Sequence, residues 1–587
     1  MLTRRELVKL GLLGGGYTVL ASGSGLRRVF ADDELPASPQ LQPFQVSLPV
    51  PPEPKEVVGG FTSTDCSDFT GSGTRFFQIV EEERSVQIHP ALPATPIWGY
   101  RDANTSSAWN FVLGPTFKVR MNEGGVVVRM TNNLPAHPAG FPDPLRGFGV
   151  NRMTTHLHGG HHPSRSDGFP DNINSFFDDN KTSRFHRFVS EPGQSYDYCY
   201  PLLDPGFSTH EADATERPST LWYHDHFFDF TGPNVYRGLA GFFLVFDDLD
   251  TGNEATGLML PSNKFTSQGV TNDVGPFDIP LVLQDKRVDS FGRLIYDPLD
   301  HDGFLGDTFL VNGAVQPFLA VKGRKYRFRF LNGSNARFYR IFLTNESGQT
   351  FPMIQIATEG GLLAKPIAIP STQNPSPSFQ IAPAERVEVV VDFSSFSKGT
   401  KLFFENRLAQ DDGRKPGDVL SRGTRLLRLD VGEAVDDPSQ VPAYLRPFAA
   451  ISATDLAAAT RKEFKFERTD GAWAINGRFA DLEHALTTSA EGQGEIWHLD
   501  SGGGWAHPVH IHLEYMRVLR RDGKLPPPNE RDGMAKKDTI VIGADFGNVD
   551  IFIKFRDFLG PFVFHCHNIE HEDMRMMARM DILPRKT

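Results

Sequence analysis

Three stretches of the chain share one pattern of apolar and polar positions. Each begins with glycine, continues as alternating apolar and polar residues, and ends in a turn of Asn, Asp or Gly. They are GGVVVRMTNNLP (124–135), GRKYRFRFLNGSN (323–335) and GEIWHLDSGGG (494–504). Alternation with a period of two is typical of a half-buried β-strand, and the turn residues mark its end. The pattern predicts one strand that recurs in three successive units.

The segments around these strands extend the repeat. The second and third units share an upstream strand and turn, FLVNGAVQP (309–317) and WAINGRFAD (473–481). Short strands bounded by turns at regular spacing indicate β-sandwiches. We therefore predict an all-β chain of three sandwich domains at 43–248, 249–432 and 446–587. The predicted linkers are DDLDTGNEATG (247–257) and DVGEAVDDPSQVP (430–442).

Composition agrees with a chain rich in strands and turns. Among 587 residues there are 48 phenylalanines, 55 glycines and 43 prolines, and the formal net charge is −12. Because no basic patch or tail accompanies this acidic balance, we expect no nucleic acid partner.

The N-terminus has the features of a targeting segment. Arg4 and Arg5 precede a short apolar run at 10–21, which is too short to span a bilayer. We predict a signal peptide at 1–31, cleaved after Ala31, and export to the periplasm or the cell exterior. The order Thr-Arg-Arg-Glu-Leu-Val-Lys resembles a twin-arginine (Tat) signal, with an ordinary signal peptide as the alternative. Residues 32–54 are a proline-rich lead-in with no predicted element.

Ten of the 19 histidines are concentrated in four short motifs. The motifs are HLHG with His156 and His158, LWYHDH with His224 and His226, HPVHIH with His507, His510 and His512, and HCHNIEH with His565, His567 and His571. Successive side chains of a strand alternate, so both imidazoles of an H-x-H point to one face. Four such pairs predict metal sites, and imidazole suits zinc, copper, iron and nickel alike.

The stretch FVFHCHNIEHEDMRMM (562–577) favours copper. Cys566 lies between His565 and His567, so its thiolate points to the opposite face of the strand. There it can meet two histidines and a weak axial methionine, which together form a blue-copper site; the ligands would be His507, His571 and Met576. Zinc would prefer a closed tetrahedral set. Met574 and Met577 remain alternatives for the axial position.

The His-Cys-His order also links two sites. If Cys566 binds one metal and its neighbours bind others, the two sites are about 10 Å apart along a covalent path. Electrons that enter at the thiolate can pass directly to a histidine-bound cluster.

These motifs, in this order, resemble the multicopper oxidases over nearly the whole mature chain. The likeness is closest to the group of bacterial spore-coat laccase, bilirubin oxidase and phenoxazinone synthase. It is carried by HLHGGHHPSRSDGFPD (156–171), LWYHDH (221–226), AERVEVVVDFS (384–394) and HNIEHEDMRMM (567–577). The resemblance implies three cupredoxin-like Greek-key domains, a copper-free middle domain and four copper ions.

The resemblance also implies a role for each ligand. The type 1 copper would take His507, Cys566, His571 and Met576, and the type 2 copper would take His156 and His510. One type 3 copper would take His158, His224 and His567, and the other His226, His512 and His565. The implied reaction couples one-electron oxidation of phenols, aromatic amines or bilirubin-like molecules to reduction of dioxygen to water.

Asp167 and Glu572 lie beside the copper motifs and match acids that assist proton delivery in similar enzymes. The alternative for each is a solvated acid or a hydrogen-bond acceptor for a histidine. The other nine histidines, including His161 and His162, are predicted to be exposed. Cys66 and Cys199 could form a disulfide in an exported protein, but sequence separation does not give their distance.

Two other functions fit parts of the sequence. A metal oxidase acting on Cu(I), Fe(II) or Mn(II) would use the same centres. Cuprous oxidases of this type commonly carry a methionine-rich insert, whereas the span from His512 to Cys566 holds only Met516 and Met534. An electron carrier would need only the type 1 set, and an inactive exported protein should have lost ligands. The loop at 520–537 is shorter than in the spore-coat group, which predicts a more open type 1 site. We also predict a monomer without a membrane span.

Overall fold

The computed structural model describes residues 35–105, 109–135, 148–171, 188–209, 211–263, 265–267, 270–272, 275–298 and 300–585. The predicted signal peptide at 1–31 lies outside these residues. Strands dominate the described chain, and their sheets form three successive pairs with separate cores. The prediction of an all-β, cupredoxin-like chain is confirmed, while the limits of the three domains remain a prediction.

The first pair of sheets is built from eight strands and one short helix. They are β1 (Arg75–Val86), β2 (Thr95–Asp102), β3 (Phe117–Arg120), β4 (Val126–Asn133), β5 (Thr155–His158), β6 (Ser195–Tyr200), β7 (Thr220–Asp225), α1 (Thr231–Arg237) and β8 (Ala240–Phe246). The strand orders are β2-β1-β4-β6 and β3-β8-β7-β5. The second of these sheets carries both histidine pairs of the first unit, on β5 and around the end of β7.

The second pair is the largest. Its strands are β9 (Phe265–Ser267), β10 (Val270–Asn272), β11 (Asp278–Val288), β12 (Leu294–Ile295), β13 (Thr308–Val311), β14 (Ala314–Val315), β15 (Phe318–Gly323), β16 (Lys325–Asn332), β17 (Tyr339–Asn345), β18 (Thr350–Phe351), β19 (Met353–Thr358), β20 (Gly361–Ile369), β21 (Ser378–Ile381), β22 (Arg386–Asp392), β23 (Lys401–Leu408) and β24 (Val419–Ala434). Apart from the separate hairpin β9–β10, they form sheets ordered β14-β13-β11-β16-β22-β19-β20 and β15-β24-β23-β17-β18. Beside these orders, β12 pairs with β11 and β21 pairs with β17.

The third pair contains the other two histidine motifs. Its elements are α2 (Ala453–Ala458), β25 (Thr460–Thr469), β26 (Ala472–Ile475), β27 (Thr487–Ala490), β28 (Gly494–Gly502), β29 (Ala506–Ile511), β30 (Arg517–Arg521), β31 (Thr539–Gly543), β32 (Val549–Lys554), β33 (Gly560–Cys566), α3 (Ile569–Asp573) and β34 (Met577–Leu583). The strand orders are β26-β25-β28-β32-β30 and β27-β34-β33-β29-β31.

The repeated sequence pattern corresponds to one topological position. The three repeated stretches form β4, β16 and β28, and each pairs in parallel with a long strand near the start of its unit, namely β1, β11 and β25. The repeat is therefore present in the fold as well as in the sequence.

The predicted lead-in packs against the second unit without forming a regular strand. The backbone N–H groups of Phe44 and Leu48 each donate to a carbonyl at 2.7 Å, those of Gln316 and Phe318. Cys66 and Cys199 form a disulfide with a Cα–Cα distance of 5.5 Å. The sequence had left open whether these two cysteines pair. Among the described helices, none combines the length and apolar character that a membrane crossing requires.

Candidate metal centres

Strand pairing brings the four histidine motifs to the contact between the first and third units. In β5 and β7 the antiparallel register places His156 opposite His224, and in β29 and β33 it places His510 opposite His565. The eight histidines of these pairs are all at most 1% exposed: His156, His158, His224, His226, His510, His512, His565 and His567. Period-two alternation places both rings of each pair on the same face, as the sequence predicted.

The rings form compact groups whose nitrogens lie within 4.8 Å of one another. The groups are His158, His224 and His567; His226, His512 and His565; and His156, His510 and His512. The Nε2 atom of His565 lies 3.1 Å from that of His226 and 3.2 Å from that of His512. The Nε2 atoms of His156 and His510 are 3.4 Å apart. The structure thus brings the predicted residues together. The first two groups have the same members as the implied type 3 sets, whereas the third adds His512 to the implied type 2 pair of His156 and His510.

A fourth group lies on the other side of β33. The Sγ atom of Cys566 is 3.5 Å from Nδ1 of His507 and 3.6 Å from Nδ1 of His571, and these two nitrogens are 3.1 Å apart. All three residues are buried. Cys566 faces the apolar core of the third unit while its neighbours face the first unit, because alternation turns adjacent side chains in opposite directions.

The three candidate methionines occupy different surroundings. Met576 is fully buried and belongs to the same apolar core as Cys566, and its carbonyl accepts the Cys566 N–H at 3.1 Å. Met577 points the other way, into a separate apolar group with Phe169 and Phe188. Met574 is only half-buried at the edge of the Cys566 core. These positions favour Met576 as the axial ligand.

The buried ring nitrogens fit transition-metal ions. Nδ1 of His158, Nε2 of His224 and both ring nitrogens of His567 have no hydrogen-bond partner among the described residues. His224 Nδ1 donates to the carbonyl of Asp225 at 2.8 Å, which leaves its Nε2 free for a ligand bond. Burial lowers the pKa of these histidines, and neighbouring histidines lower it further for His158 and His567. Neutral, converging imidazoles beside a thiol are a donor set that suits copper.

The two predicted acids both contact the histidine cluster. Asp167 Oδ2 accepts from His512 Nδ1 at 2.7 Å, and burial raises the pKa of Asp167 well above its ordinary value. The carboxylate of Glu572 lies 3.1 Å from His565 Nδ1 and 3.4 Å from His226 Nδ1. Glu572 also accepts a hydrogen bond from the Thr231 hydroxyl at 2.8 Å. Neither acid is solvated, which removes one of the alternatives for each.

The Cys566 group is covered, contrary to the prediction of a more open site. His571 is fully buried, and the ring of Trp473 packs on it with centroids 3.9 Å apart. Nε2 of His571 lies 3.2 Å from the carbonyl oxygen of Asp302, a residue of the second unit. Trp505, which is half-buried, contacts Trp473 edge-on and donates to Asp302 Oδ1 at 3.0 Å. The residues that cover the Cys566 group, Trp473, Trp505 and Asp302, lie outside the loop at 520–537. The length of that loop alone could therefore not predict whether the group is exposed.

The prediction that His161 and His162 are exposed was also wrong. His162 is 1% exposed, and its Nε2 lies 3.3 Å from the Leu157 carbonyl. His161 packs on Phe558 and its Nε2 lies 2.8 Å from a carboxylate oxygen of Asp557. His89, another of the nine, is 2% exposed. The turn after β5 is buried because the third unit packs over it.

Sequence reasoning missed Arg386, Asp538 and Trp473. Asp538 Oδ1 lies 3.2 Å from His158 Nε2, and Arg386 holds the same carboxylate. Both residues stand in or next to segments that the sequence had singled out, the stretch 384–394 and the loop at 520–537. No local pattern marks them, since their partners lie far away along the chain.

Comparisons with known proteins agree with this geometry. A family model described as multicopper oxidase matches residues 453–586. A laccase from Bacillus subtilis (strain 168) is 30% identical, and the match covers 92% of this chain and 99% of that protein. A bilirubin oxidase from Albifimbria verrucaria is also 30% identical, with 93% and 83% covered. The crystal structure of a multicopper oxidase from the hyperthermophile Aquifex aeolicus has a TM-score of 0.68 at 24% identity, covering 92% and 99%.

The chain therefore belongs to the multicopper oxidase family. It is a copper-dependent oxidoreductase that uses dioxygen as its acceptor, and laccases and a bilirubin oxidase are among its relatives.

Proposed function

We propose that the protein is a laccase-like oxidase with four copper ions, one in the Cys566 group and three among the eight clustered histidines. The observation that carries the proposal is the set of buried histidine groups on one face of β33, with the cysteine group on the other. Bound copper would supply one-electron oxidation of the substrate at the first site and four-electron reduction of dioxygen to water at the second. The type 1, type 2 and type 3 ligand sets implied by the resemblance are adopted here.

The chain supplies the connection between the two sites. Cys566 is bonded in sequence to His565 and His567, so only a few covalent bonds separate the thiolate from two imidazoles of the cluster. The apolar core around Cys566 excludes water from this path. The N–H of Asn568 lies 3.3 Å from Sγ and orients the thiolate without burying a charged group beside it.

Two acids are positioned to hold protons beside the cluster. Asp167 contacts His512, and Glu572 contacts His226 and His565. Reduction of dioxygen to water needs four protons, and the cluster is buried from solvent. We assign both residues the role of proton donors, with Thr231 holding the Glu572 carboxylate in place.

The covered Cys566 group favours an organic donor over a metal ion. A planar aromatic molecule that stacks on the half-buried Trp505 can transfer an electron inward through the buried Trp473 to His571 without contacting His571. Met516, one of two methionines between His512 and Cys566, is fully buried in the third core and is not available to a metal ion. We therefore propose phenols, aromatic amines or bilirubin-like molecules as substrates, with export as the predicted localisation.

A pair of variants tests the proposal. In Cys566→Ser the hydroxyl is a poor ligand for a soft copper site, so the protein should be colourless yet keep its cluster copper. His510→Ala should do the reverse: the blue colour and a single reduction by substrate remain, but turnover of dioxygen stops. The test is anaerobic reduction with a phenolic dye, followed by readmission of air. Reoxidation of His510→Ala at the parent rate would refute the assignment of the dioxygen site.

Steady-state rates with phenols, bilirubin and the reduced metals Cu(I), Fe(II) and Mn(II) test the substrate class. The proposal predicts higher kcat/KM for organic donors. A clear preference for a reduced metal would identify a metal oxidase that uses the same centres.

A further inference from the structure

Two buried aspartates hold the histidine cluster from opposite sides in the same way. The carbonyl oxygen of Asp167 lies 2.5 Å from His156 Nδ1, and its Oδ2 lies 2.7 Å from His512 Nδ1. The carbonyl oxygen of Asp538 lies 2.8 Å from His510 Nδ1, and its Oδ1 lies 3.2 Å from His158 Nε2. Each aspartate thus binds one histidine of its own unit through the main chain. Through its carboxylate, each also binds one histidine of the opposite unit.

The two histidines bound by Asp538 must present opposite ring nitrogens. Their rings stack with centroids 3.6 Å apart and an interplanar angle of 15°. His510 donates its Nδ1–H to the Asp538 carbonyl, so its Nε2 is free and faces His156. His158 donates its Nε2–H to the carboxylate, so its Nδ1 is free, and this atom has no hydrogen-bond partner among the described residues. One residue therefore sets the tautomers of ligands that belong to two different coppers.

An arginine of the copper-free second unit holds the Asp538 carboxylate. Arg386, on β22, donates from Nη1 to Oδ1 at 2.9 Å and from Nη2 to Oδ2 at 2.5 Å. Its Nε donates to the carbonyl of Thr220, the first residue of the strand that leads to His224. Both members of the pair are at most 1% exposed. A planar bidentate contact fixes the carboxylate plane in a way that a single donor cannot.

The close contact between Arg386 and Asp538 depends on Gly159, which directly follows His158. A Cβ atom at this position would lie 2.6 Å from both Arg386 Nη2 and Asp538 Oδ2, and the backbone has a φ of +84°. The glycine of the HLHG motif is thus needed for the close approach of three units at one carboxylate.

We propose that Arg386 and Asp538 act as a positioning pair that sets which ring nitrogens of His158 and His510 face the coppers. By this inference the copper-free middle domain takes part in assembling the dioxygen site. The inference rests on the ligand sets of the proposed function. Asp538 lies with His158 and His510 in a further group whose ligand atoms are within 4.8 Å of one another. The inference assigns no copper to Asp538, so both residues of the pair act through the histidines.

The test compares Arg386→Lys and Asp538→Asn with the parent as copper-loaded full-length proteins. Lysine keeps the charge but loses the parallel donors, and asparagine keeps the shape but loses the charge. The measurements are release of copper to a graded chelator, the EPR signal of the type 2 copper, and the blue absorption of the type 1 site as an internal reference. Arg324→Lys is the matched control, because Arg324 is a buried arginine of the same unit paired with Glu254 at 2.7 Å.

We expect both variants to release cluster copper at chelator concentrations about 10 to 100 times lower than the parent, with an altered type 2 signal and unchanged blue absorption. Arg324→Lys should lose thermal stability only. If both variants keep the parent's type 2 signal and chelator resistance, the pair is merely structural and the inference is wrong. A parent protein that binds only type 1 copper would instead refute the proposed function, and with it the ligand sets on which the pair depends.

Discussion

Removal of the Cys66–Cys199 disulfide should destabilise the first unit by about 2–4 kcal/mol. Both cysteines are fully buried, and they lie in an apolar group with Val127 and the rings of Phe61, Phe69 and Phe76. The Cys199 N–H also donates to the hydroxyl of Ser166 at 2.9 Å, and Ser166 directly precedes Asp167. The crosslink therefore supports the backbone that holds one of the two cluster aspartates.

The size of the effect follows from the length of chain that the disulfide closes. The cysteines are separated by 133 residues. Closing a loop of that length reduces the conformational entropy of the unfolded chain, which would stabilise the folded state by about 5 kcal/mol at 25 °C. The stabilisation measured for disulfides is commonly about 2–4 kcal/mol. A sandwich of this size unfolds in urea with a slope of about 2 kcal/mol per molar. The double variant Cys66→Ser/Cys199→Ser should thus lower the first unfolding midpoint by about 1–2 M urea.

The assay is equilibrium unfolding of the metal-free proteins, followed by tryptophan fluorescence. Copper is removed so that ligand binding does not contribute to the difference. Adding a thiol-free reductant to the parent should move its midpoint to that of the double variant, while the variant itself should not respond. The reasoning is refuted if the oxidised parent, the reduced parent and the double variant all unfold at the same urea concentration.

The other predictions concern the axial ligand, a buried acid and export. Met576→Leu nearly conserves side-chain volume, so the free energy of unfolding should change by less than about 1.5 kcal/mol, while the reduction potential of the type 1 copper should rise. Met577→Leu is the control. Equal reduction potentials in the two variants would contradict Met576 as the axial ligand. Burial, aided by Asp225, raises the pKa of Glu81 to about 8. The folded state then holds a proton that the unfolded state releases near pH 4.5, so Glu81 should lower the parent's stability between pH 5 and 9, by up to about 5 kcal/mol. Burial also raises the pKa of Asp225, Glu359 and Glu570, so in Glu81→Gln the loss of stability with rising pH should become smaller by the Glu81 contribution, and an unchanged slope would refute the prediction. Replacing both Arg4 and Arg5 by lysine should abolish export, and normal export would exclude a twin-arginine signal.

The clustered histidines were predictable because their geometry is local. Whether His565 and His567 share a face, and Cys566 the other, depends only on the alternation of side chains along one strand. The repeated strands were predictable for the same reason, since glycine, alternation and turn residues all lie within a dozen positions. The sequence could therefore predict the all-β fold and the residues that the structure brings together.

The residues that support and cover these groups were not predictable. His158 and Asp538 are 380 positions apart, and Arg386 reaches Asp538 from a third unit. Trp473 packs on His571 by tertiary contact, and nothing in its own segment indicates that partner. His161 contacts Asp557 and Phe558 of the third unit, although its local sequence is that of a surface turn. Such contacts depend on how the units pack, which no short pattern encodes.

The most direct test of the central claim is an anaerobic reductive titration of the copper-loaded parent, with metal analysis on the same sample. We predict four copper ions per chain, uptake of four electrons, loss of the blue absorption during the titration, and full reoxidation by one dioxygen molecule per chain. One copper ion and one electron per chain, or zinc in place of copper, would contradict the account.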